Sequence, residues 1–282
     1  MTSAIQVEEL RKRYGEHEAL RGVSFEIGEG EVFSLLGPNG AGKTTAIEIL
    51  EGYRRRDAGS VSVLGTDPEH TSRTWRGRIG VVLQSSAMYE NLTVQESLAL
   101  FAGYYERPRP VAEVIEVVGL GEKAGAVVRK LSGGQRRRLD FGLALVGDPE
   151  LVFLDEPTTG FDPAARRAAW ETIRSLRGLG KTILLTTHYL DEAEQLSDRV
   201  AVLREGRIVA TGTPAELTRT PATEIRYREN GREVLLRTEE PTRVLAELTA
   251  RAVEQGRELD DLQVRKPSLE EVYLELTDKA AE

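Results

Sequence analysis

Four short stretches of the 282-residue chain carry residue types that could do chemistry. The first is the run Gly37-Pro38-Asn39-Gly40-Ala41-Gly42-Lys43-Thr44-Thr45, which fits the spacing G-x-x-x-x-G-K-[ST] through Gly37, Gly42, Lys43 and Thr44. Glycines at that spacing let backbone N–H groups turn inward around phosphate oxygens. Lys43 would reach the terminal phosphates, and the Thr44 hydroxyl would bind magnesium. The second is the pair Asp155 and Glu156 at the end of an apolar run. Asp155 is placed to hold magnesium, directly or through water, and Glu156 is the candidate general base for an attacking water. The third, "TTH", ends at His188, one of three histidines in the chain. It could contact a γ-phosphate or orient the water. The fourth, "KLSGGQRRRLD" from Lys130 to Asp140, sets a serine and two glycines before an arginine-rich helical stretch. Ser132 and the N–H groups of Gly133 and Gly134 would open a helix with its positive dipole end toward an anion. A glycine-capped turn between helices is the plainer reading of the same residues.

Such groups need rigid elements to bring them together. Three apolar runs stand out: "VFSLL" (Val32 to Leu36), "LVFL" (Leu151 to Leu154) and "TILL" (Thr182 to Leu185). Each is continuous rather than alternating, which points to strands buried on both faces of a parallel sheet. Each leads into a helical pattern: "KTTAIEILEG", "DPAARRAAWETIRSLRGLG" and "YLDEAEQLS". The second of these has Asp162 as N-cap and Pro163 at the first helical position. In open α/β sheets, ligands bind beyond the carboxyl ends of the strands. The glycine loop, the acidic pair and His188 should therefore converge on one edge. "IGVVL" reads as a further strand ending just before Gln84, and residues 85–130 read mainly as helices.

Composition sets bounds on function. Hydrophobic residues make up 40% and charged residues 30%, an ordinary globular balance. No apolar stretch approaches the roughly 18 residues of a membrane span. The N-terminus "MTSAIQVEELRKRYG" lacks the apolar core of a signal peptide. The absence of cysteine excludes disulfides and thiolate metal sites, and fits the cytoplasm. Of the net charge of −8, residues 222–282 contribute −5, with 10 basic and 15 acidic side chains. A nucleic-acid binder would present a basic face. The runs Arg54 to Arg56 and Arg136 to Arg138 are too short for one and read as solvated surface. No nucleic-acid partner is expected.

Taken in order, Tyr14, "GPNGAGKTT", Gln84, "LSGGQ" at Leu131 to Gln135, "LVFLDEPTTGFD" and His188 resemble the nucleotide-binding domain of ABC transporters, over about residues 4–220. The resemblance implies an α/β fold of the P-loop NTPase type, with a parallel-sheet core, an antiparallel β subdomain, and a helical subdomain over 85–130 that docks on a membrane-embedded partner. It implies hydrolysis of ATP with Mg2+. Tyr14 would stack on adenine, Gly37 to Thr45 would hold the phosphates, and Thr44, Gln84 and Asp155 would organise magnesium. Glu156 would activate water and His188 would support the γ-phosphate. Ser132, Gly133, Gly134 and Gln135 would serve ATP held by a second copy, in an ATP-dependent homodimer packed head to tail around two nucleotides. Asp162 would sit at that dimer interface. Phe161 stands where the family usually has leucine, which implies local repacking. A separate integral membrane permease is the implied partner, and the cytoplasmic face of the cell membrane the implied location. Two other readings stay open: a soluble ABC-type ATPase acting on the ribosome or DNA, and a regulatory subunit that binds ATP without turnover.

The nucleotide-binding domain is expected over residues 1–221 and a small α/β accessory domain over 222–282. "TGTPAEL" starts a helix, with Thr213 and Glu216 as a capping box and Pro214 at the first helical position. "TEIRYRENGREVLLRT" reads as a hairpin around Asn230-Gly231, and "PTRVLAELTARAVEQG" as a helix. "KPSLEEVYLELT" reads as a last helix, capped by Ser268 and Glu271. A unit of about 60 residues is marginal alone. "SLEEVYLELT" resembles the C-terminal segment of daunorubicin-resistance-type ATPases, which serve ABC-2 exporters. That implies export, and a tail for dimerisation or partner docking. A cap on the main domain is the alternative.

Overall fold

The computed structural model describes residues 3–83, 89–218, 223–229 and 232–265. The chain divides into two compact units, Met1–Thr211 and Gly212–Glu282. The division falls ahead of the expected boundary at 221. Gln84, the Asn230-Gly231 turn and the helix capped by Ser268 lie outside the described residues.

The main sheet of the first unit has the order β5 (Ile79–Val82), β6 (Leu151–Asp155), β7 (Thr182–Thr187), β3 (Val32–Leu36), β8 (Arg199–Arg204), β9 (Arg207–Gly212). The pairings from β5 through β8 are parallel. Side chains alternate across a strand, and here both faces are apolar. On β6, Leu151 and Phe153 enter one core while Val152 and Leu154 enter the other. On β7, Leu184 faces the first core, and Ile183 and Leu185 the second. That two-sided burial is why the runs read as continuous. Each such side chain contributes about 1.5–3 kcal/mol when fully buried, so the strands carrying the chemistry are clamped from both sides.

The first core lies under α1 (Lys43–Leu50), through Ala46, Ile47, Ile49 and Leu50, and under Trp75 of the short α2 (Arg73–Arg76). It also contains an antiparallel sheet of order β2 (His17–Gly28), β1 (Ser3–Tyr14), β4 (Ala58–Val63). On β1 the alternation slips: Ile5 and Val7 are followed by Leu10, all buried. A register shift between Val7 and Leu10, with Glu9 at φ 48°, absorbs the extra residue and returns Leu10 to the core.

The second core joins the other sheet face to α3 (Val94–Ala102), α4 (Val111–Val117), α5 (Gly133–Leu145), α6 (Pro163–Gly178) and Leu196 of α7 (Leu190–Leu196). Sequence caps set these helices. Thr93 and Glu96 form a reciprocal capping box on α3. Asp162 Oδ1 accepts from the N–H groups of Ala164 (2.9 Å) and Ala165 (2.8 Å) to start α6 at Pro163.

The second unit begins with α8 (Pro214–Leu217), capped by Thr213 and Glu216 as the sequence implies. β10 (Thr223–Glu229) pairs with β11 (Arg232–Thr238), α9 (Pro241–Glu254) follows, and β12 (Asp260–Arg265) completes the antiparallel order β11-β10-β12. Ile225 and Tyr227 are its buried apolar residues on β10, and Glu224 is held by Arg237 and Arg265 from the flanking strands.

Candidate functional site

The glycine loop leaves β3 at the carboxyl edge of the sheet. Gly37 N–H donates to Thr187 O of β7 (3.1 Å), and a Cβ on Gly37 would lie 2.2 Å from Leu203 O. The loop therefore hugs the backbone on both neighbouring strands. At its far end Gly42 has φ 107°, and a Cβ there would meet Ala19 O at 2.6 Å. No side chain caps α1. Its first N–H groups keep their donor capacity, with the positive end of the helix dipole, for an anionic ligand.

Charged groups gather beside that helix end. Lys43 is only 4% exposed; its Nζ donates to Gly37 O (2.8 Å) and Pro38 O (3.1 Å) and sits 3.1 Å from Glu156 Oε1. Glu156 Oε2 accepts from Thr159 Oγ1 (3.0 Å), and His188 Nδ1 lies 3.4 Å from Oε1. Burial alone would raise the Glu156 carboxyl. Lys43, Thr159 and His188 outweigh it and hold its pKa below the ordinary carboxylate value. Asp155, at the end of β6, accepts from Thr186 Oγ1 on β7 (2.5 Å) and from Thr44 Oγ1 on α1 (3.2 Å). The structure thus brings Lys43, Thr44, Asp155, Glu156 and His188 to one edge, as the three strand ends imply.

Of these groups Lys43, Thr44 and Glu156 line a cleft of about 420 Å³ whose walls also include Tyr14, Asn39 and Thr45. Tyr14 reaches it from the end of β1, opposite His17 on β2, and is 39% exposed with Arg54 and Lys12 against its ring. Gly40 and Gly42 also line the cleft, whereas Pro38 and Ala41 do not. None of Ser132, Gly133, Gly134 and Gln135 lines it. Those residues open α5: Ser132 Oγ accepts from Gln135 N–H (3.3 Å), and Gln135 Oε1 accepts from Ser132 N–H (3.0 Å). Phe161 is partly buried against the second core, with its N–H on Thr158 O (3.1 Å).

The solvated reading of the arginine runs fails in part: Arg56 is largely covered and paired with Asp67, and the failure is plainest in the second run. Arg136 is exposed, but Arg137 is 7% exposed and bonds backbone carbonyls of two other segments. The signal was helical spacing: Arg137 falls on the stripe of Phe141 and Ala144, both buried, rather than on the solvent face. A second residue missed in the sequence is Glu192 on α7, fully buried, which accepts from Thr158 Oγ1 (2.8 Å) and Trp170 Nε1 (3.0 Å).

The donors present suit a nucleoside triphosphate with Mg2+. Thr44 and Asp155 offer one hydroxyl and one carboxylate. Among the described residues no group of three or more His, Cys, Asp or Glu side chains could hold a metal alone. Magnesium fits such a set, because it takes its remaining ligands from phosphate oxygens and water. A glycine loop between a buried parallel strand and a helix, with an acidic pair at the end of the next strand but one, defines a P-loop nucleoside-triphosphate-hydrolysing domain. Residues 20–159 match the ABC transporter family, and residues 211–268 match the C-terminal domain of ABC transporter domain-containing protein-like chains. The chain is 38% identical to the daunorubicin resistance ATP-binding protein of Streptomyces coeruleorubidus, over 98% of this chain and 96% of that one. It is 47% identical to the Nod factor export ATP-binding protein I of Ralstonia nicotianae, over 77% of this chain and 69% of that one. Among solved structures it is similar to an ATP-binding subunit of an ABC transporter, with TM-score 0.71 and 26% identity over 97% of this chain and 99% of that chain. It is also similar to a dimeric ATP-binding cassette in a post-hydrolysis state with ADP and Pi, with TM-score 0.65 and 25% identity over 74% of this chain and 98% of that chain. The chain belongs to the ABC transporter family and is an ATPase of that family.

Proposed function

We propose that the chain is the ATP-hydrolysing subunit of an exporter, acting as a homodimer under a separate integral membrane permease at the cytoplasmic face of the membrane. The observation that carries this reading is the gathering of Lys43, Thr44, Asp155, Glu156 and His188 at one sheet edge, beside a cleft that Lys43, Thr44 and Glu156 line and the Ser132 to Gln135 segment does not. Catalytic groups at one edge, with the helix start at Ser132 outside their cleft, fit a two-copy arrangement. Export is supported by the relatives, which are named for export and for drug resistance, one of them alignable along nearly the whole chain.

In this reading Tyr14 stacks on adenine, and Lys43 with the loop amides binds the β- and γ-phosphates. Thr44 and Asp155, with Gln84, hold Mg2+, which when bound neutralises phosphate charge. Glu156 is ionised at neutral pH, as a general base must be, since Lys43 offsets the burial that would otherwise raise its pKa. His188 adjoins Glu156 and steadies the γ-phosphate. Ser132 and the N–H groups of Gly133 and Gly134 close the site of the second copy with the dipole end of α5. Asp162 adjoins that interface. The helices of 85–130 dock on the permease, and residues 222–282 form an accessory domain for dimerisation or docking.

A tagged pull-down from membranes of the native cell, read by mass spectrometry, tests the partner. A multi-span membrane protein at about equal stoichiometry is expected; ribosomal proteins or DNA-repair factors without one would overturn the reading. Glu156→Gln tests the base. Turnover should drop by about 10²–10⁴-fold with ATP binding retained, and turnover at the parent rate would remove Glu156 from that role.

A further inference from the structure

α5 opens with the Ser132 cap and Gly133-Gly134, and Arg137 follows about one turn later on its inward face. The Arg137 guanidinium donates from Nε to Pro157 O (3.0 Å) and from Nη1 to Leu83 O. Pro157 follows Glu156, and Leu83 precedes Gln84. One side chain therefore ties three segments together: the helix opened by the LSGGQ signature (Leu131 to Gln135), the end of β5, and the loop from β6 to α6. The nearest carboxylate oxygen in a salt bridge with it is Asp140 Oδ2, at 3.7 Å. The group is thus held chiefly by two backbone acceptors and not by a close ion pair. Burying a guanidinium is costly unless its donors are satisfied, so a shift of α5 away from either carbonyl carries a penalty. The planar fork resists partial shifts better than an ammonium does. Burial pushes the Arg137 pKa down, opposed by Asp140, Asp155 and Glu192. The guanidinium still remains charged.

We propose that Arg137 is a positioning residue: it fixes the Ser132 to Gln135 segment to the backbone flanking this subunit's own magnesium- and water-binding groups, so that ATP in the cleft sets the angle at which that segment meets the second copy. The proposal rests on the homodimer reading above. It makes each subunit's signature report on its own nucleotide while it closes the site of the other. Pro157, next to Glu156, is at one end, α5 is at the other, and Arg137 is the brace between them.

The test uses the full chain in the Glu156→Gln background, where bound ATP is not consumed. Three quantities are measured: affinity of the dilute protein for a fluorescent ATP analogue, melting temperature, and the ATP-dependent dimer dissociation constant by sedimentation velocity. Arg137→Met keeps the length and apolar stem but removes every donor. The expected result is analogue affinity within about twofold, melting lowered by a few degrees because two buried carbonyls lose their donor, and a dimer dissociation constant at least about tenfold higher. Dimerisation at the parent strength would overturn the proposal. So would losses of affinity and melting in step with dimerisation, which mark a general packing role. Should the Met variant fail to fold, Arg137→Lys answers the question, since one nitrogen replaces the fork: weaker dimerisation at unchanged analogue affinity supports the brace, and parent behaviour removes it. If Glu156→Gln itself stays monomeric at saturating ATP, the homodimer reading fails, and the brace fails with it for that separate reason.

Discussion

Replacing Glu51 with glutamine should stabilise the protein, and the gain should grow with pH. Glu51 caps the C-terminal end of α1, the helix whose first turn faces the phosphate cleft. It borders a second cleft, of about 880 Å³, walled by Ile79, Val81, Phe101, Tyr105 and Leu143. Its Oε1 has no hydrogen-bond partner. Burial first, then the charges of Asp155 and Glu48, push its pKa from 4.5 to about 8. A negative charge at a helix C-terminus also opposes the dipole. The sign follows from proton binding. Below the unfolded value of 4.5 the carboxyl is neutral in both states and costs nothing. Between 4.5 and about 8 the folded state holds a proton that the unfolded chain gives up, so stability falls as pH rises. Each unit in that window is worth about 1.4 kcal/mol, so the cost at pH 7 is up to about 3 kcal/mol, and it levels off above the folded pKa. Relaxation around the carboxylate trims such penalties. Glu51→Gln should therefore exceed the parent by about 2 kcal/mol at pH 8.5 and by less than about 0.5 kcal/mol at pH 5. Urea unfolding followed by tryptophan fluorescence measures this. Trp75 and Trp170 are the two tryptophans, and both lie in the first unit, so the signal reports that unit alone. A difference between the two proteins that stays flat from pH 5 to 8.5, or that favours the parent at high pH, would refute the account.

Gly42→Ala places a Cβ 2.6 Å from Ala19 O at φ 107°. At about 2 kcal/mol or more, the strain should weaken ATP binding about 30-fold by equilibrium titration. Ser132→Ala removes the cap of α5, whose Oγ accepts from Gln135 N–H. It should cost about 1 kcal/mol in urea unfolding, and ATP-dependent dimerisation should fall further than that loss accounts for.

The strands that carry chemistry were legible because burial on both faces leaves a mark no surface segment shares: "LVFL" and "TILL" offer almost no polar position, and they run into Asp155 and Thr187 at the carboxyl edge of the sheet. Caps were legible for a similar reason, since Asp162-Pro163 and Thr213-Pro214 commit the backbone locally. The antiparallel sheet came only through resemblance. Its central strand changes phase at Glu9, and a period of two cannot be followed across a bulge. β12 escaped as well, because five of its six residues are exposed and none of its pattern separates it from a loop. Arg137 was hidden by composition: in a run of three arginines the residue type says surface, and only its place four residues before Phe141 says core.

What no pattern in the sequence conveys is the backbone at Glu156. It has φ 45°, a left-handed conformation for a residue with a side chain, and its N–H donates to both the carbonyl (3.2 Å) and the hydroxyl (3.0 Å) of Thr186. Such a conformation costs of the order of 1–2 kcal/mol. It persists because β7 supplies two acceptors for that one N–H. The turn sends Asp155 toward Thr44 and Glu156 toward Lys43 and His188 from consecutive positions. Two adjacent carboxylates on a regular strand would point to opposite faces of the sheet; the left-handed turn lets both serve one cleft. The strain is thus held locally, by the two Thr186 acceptors on β7, and it sets the geometry of the acidic pair.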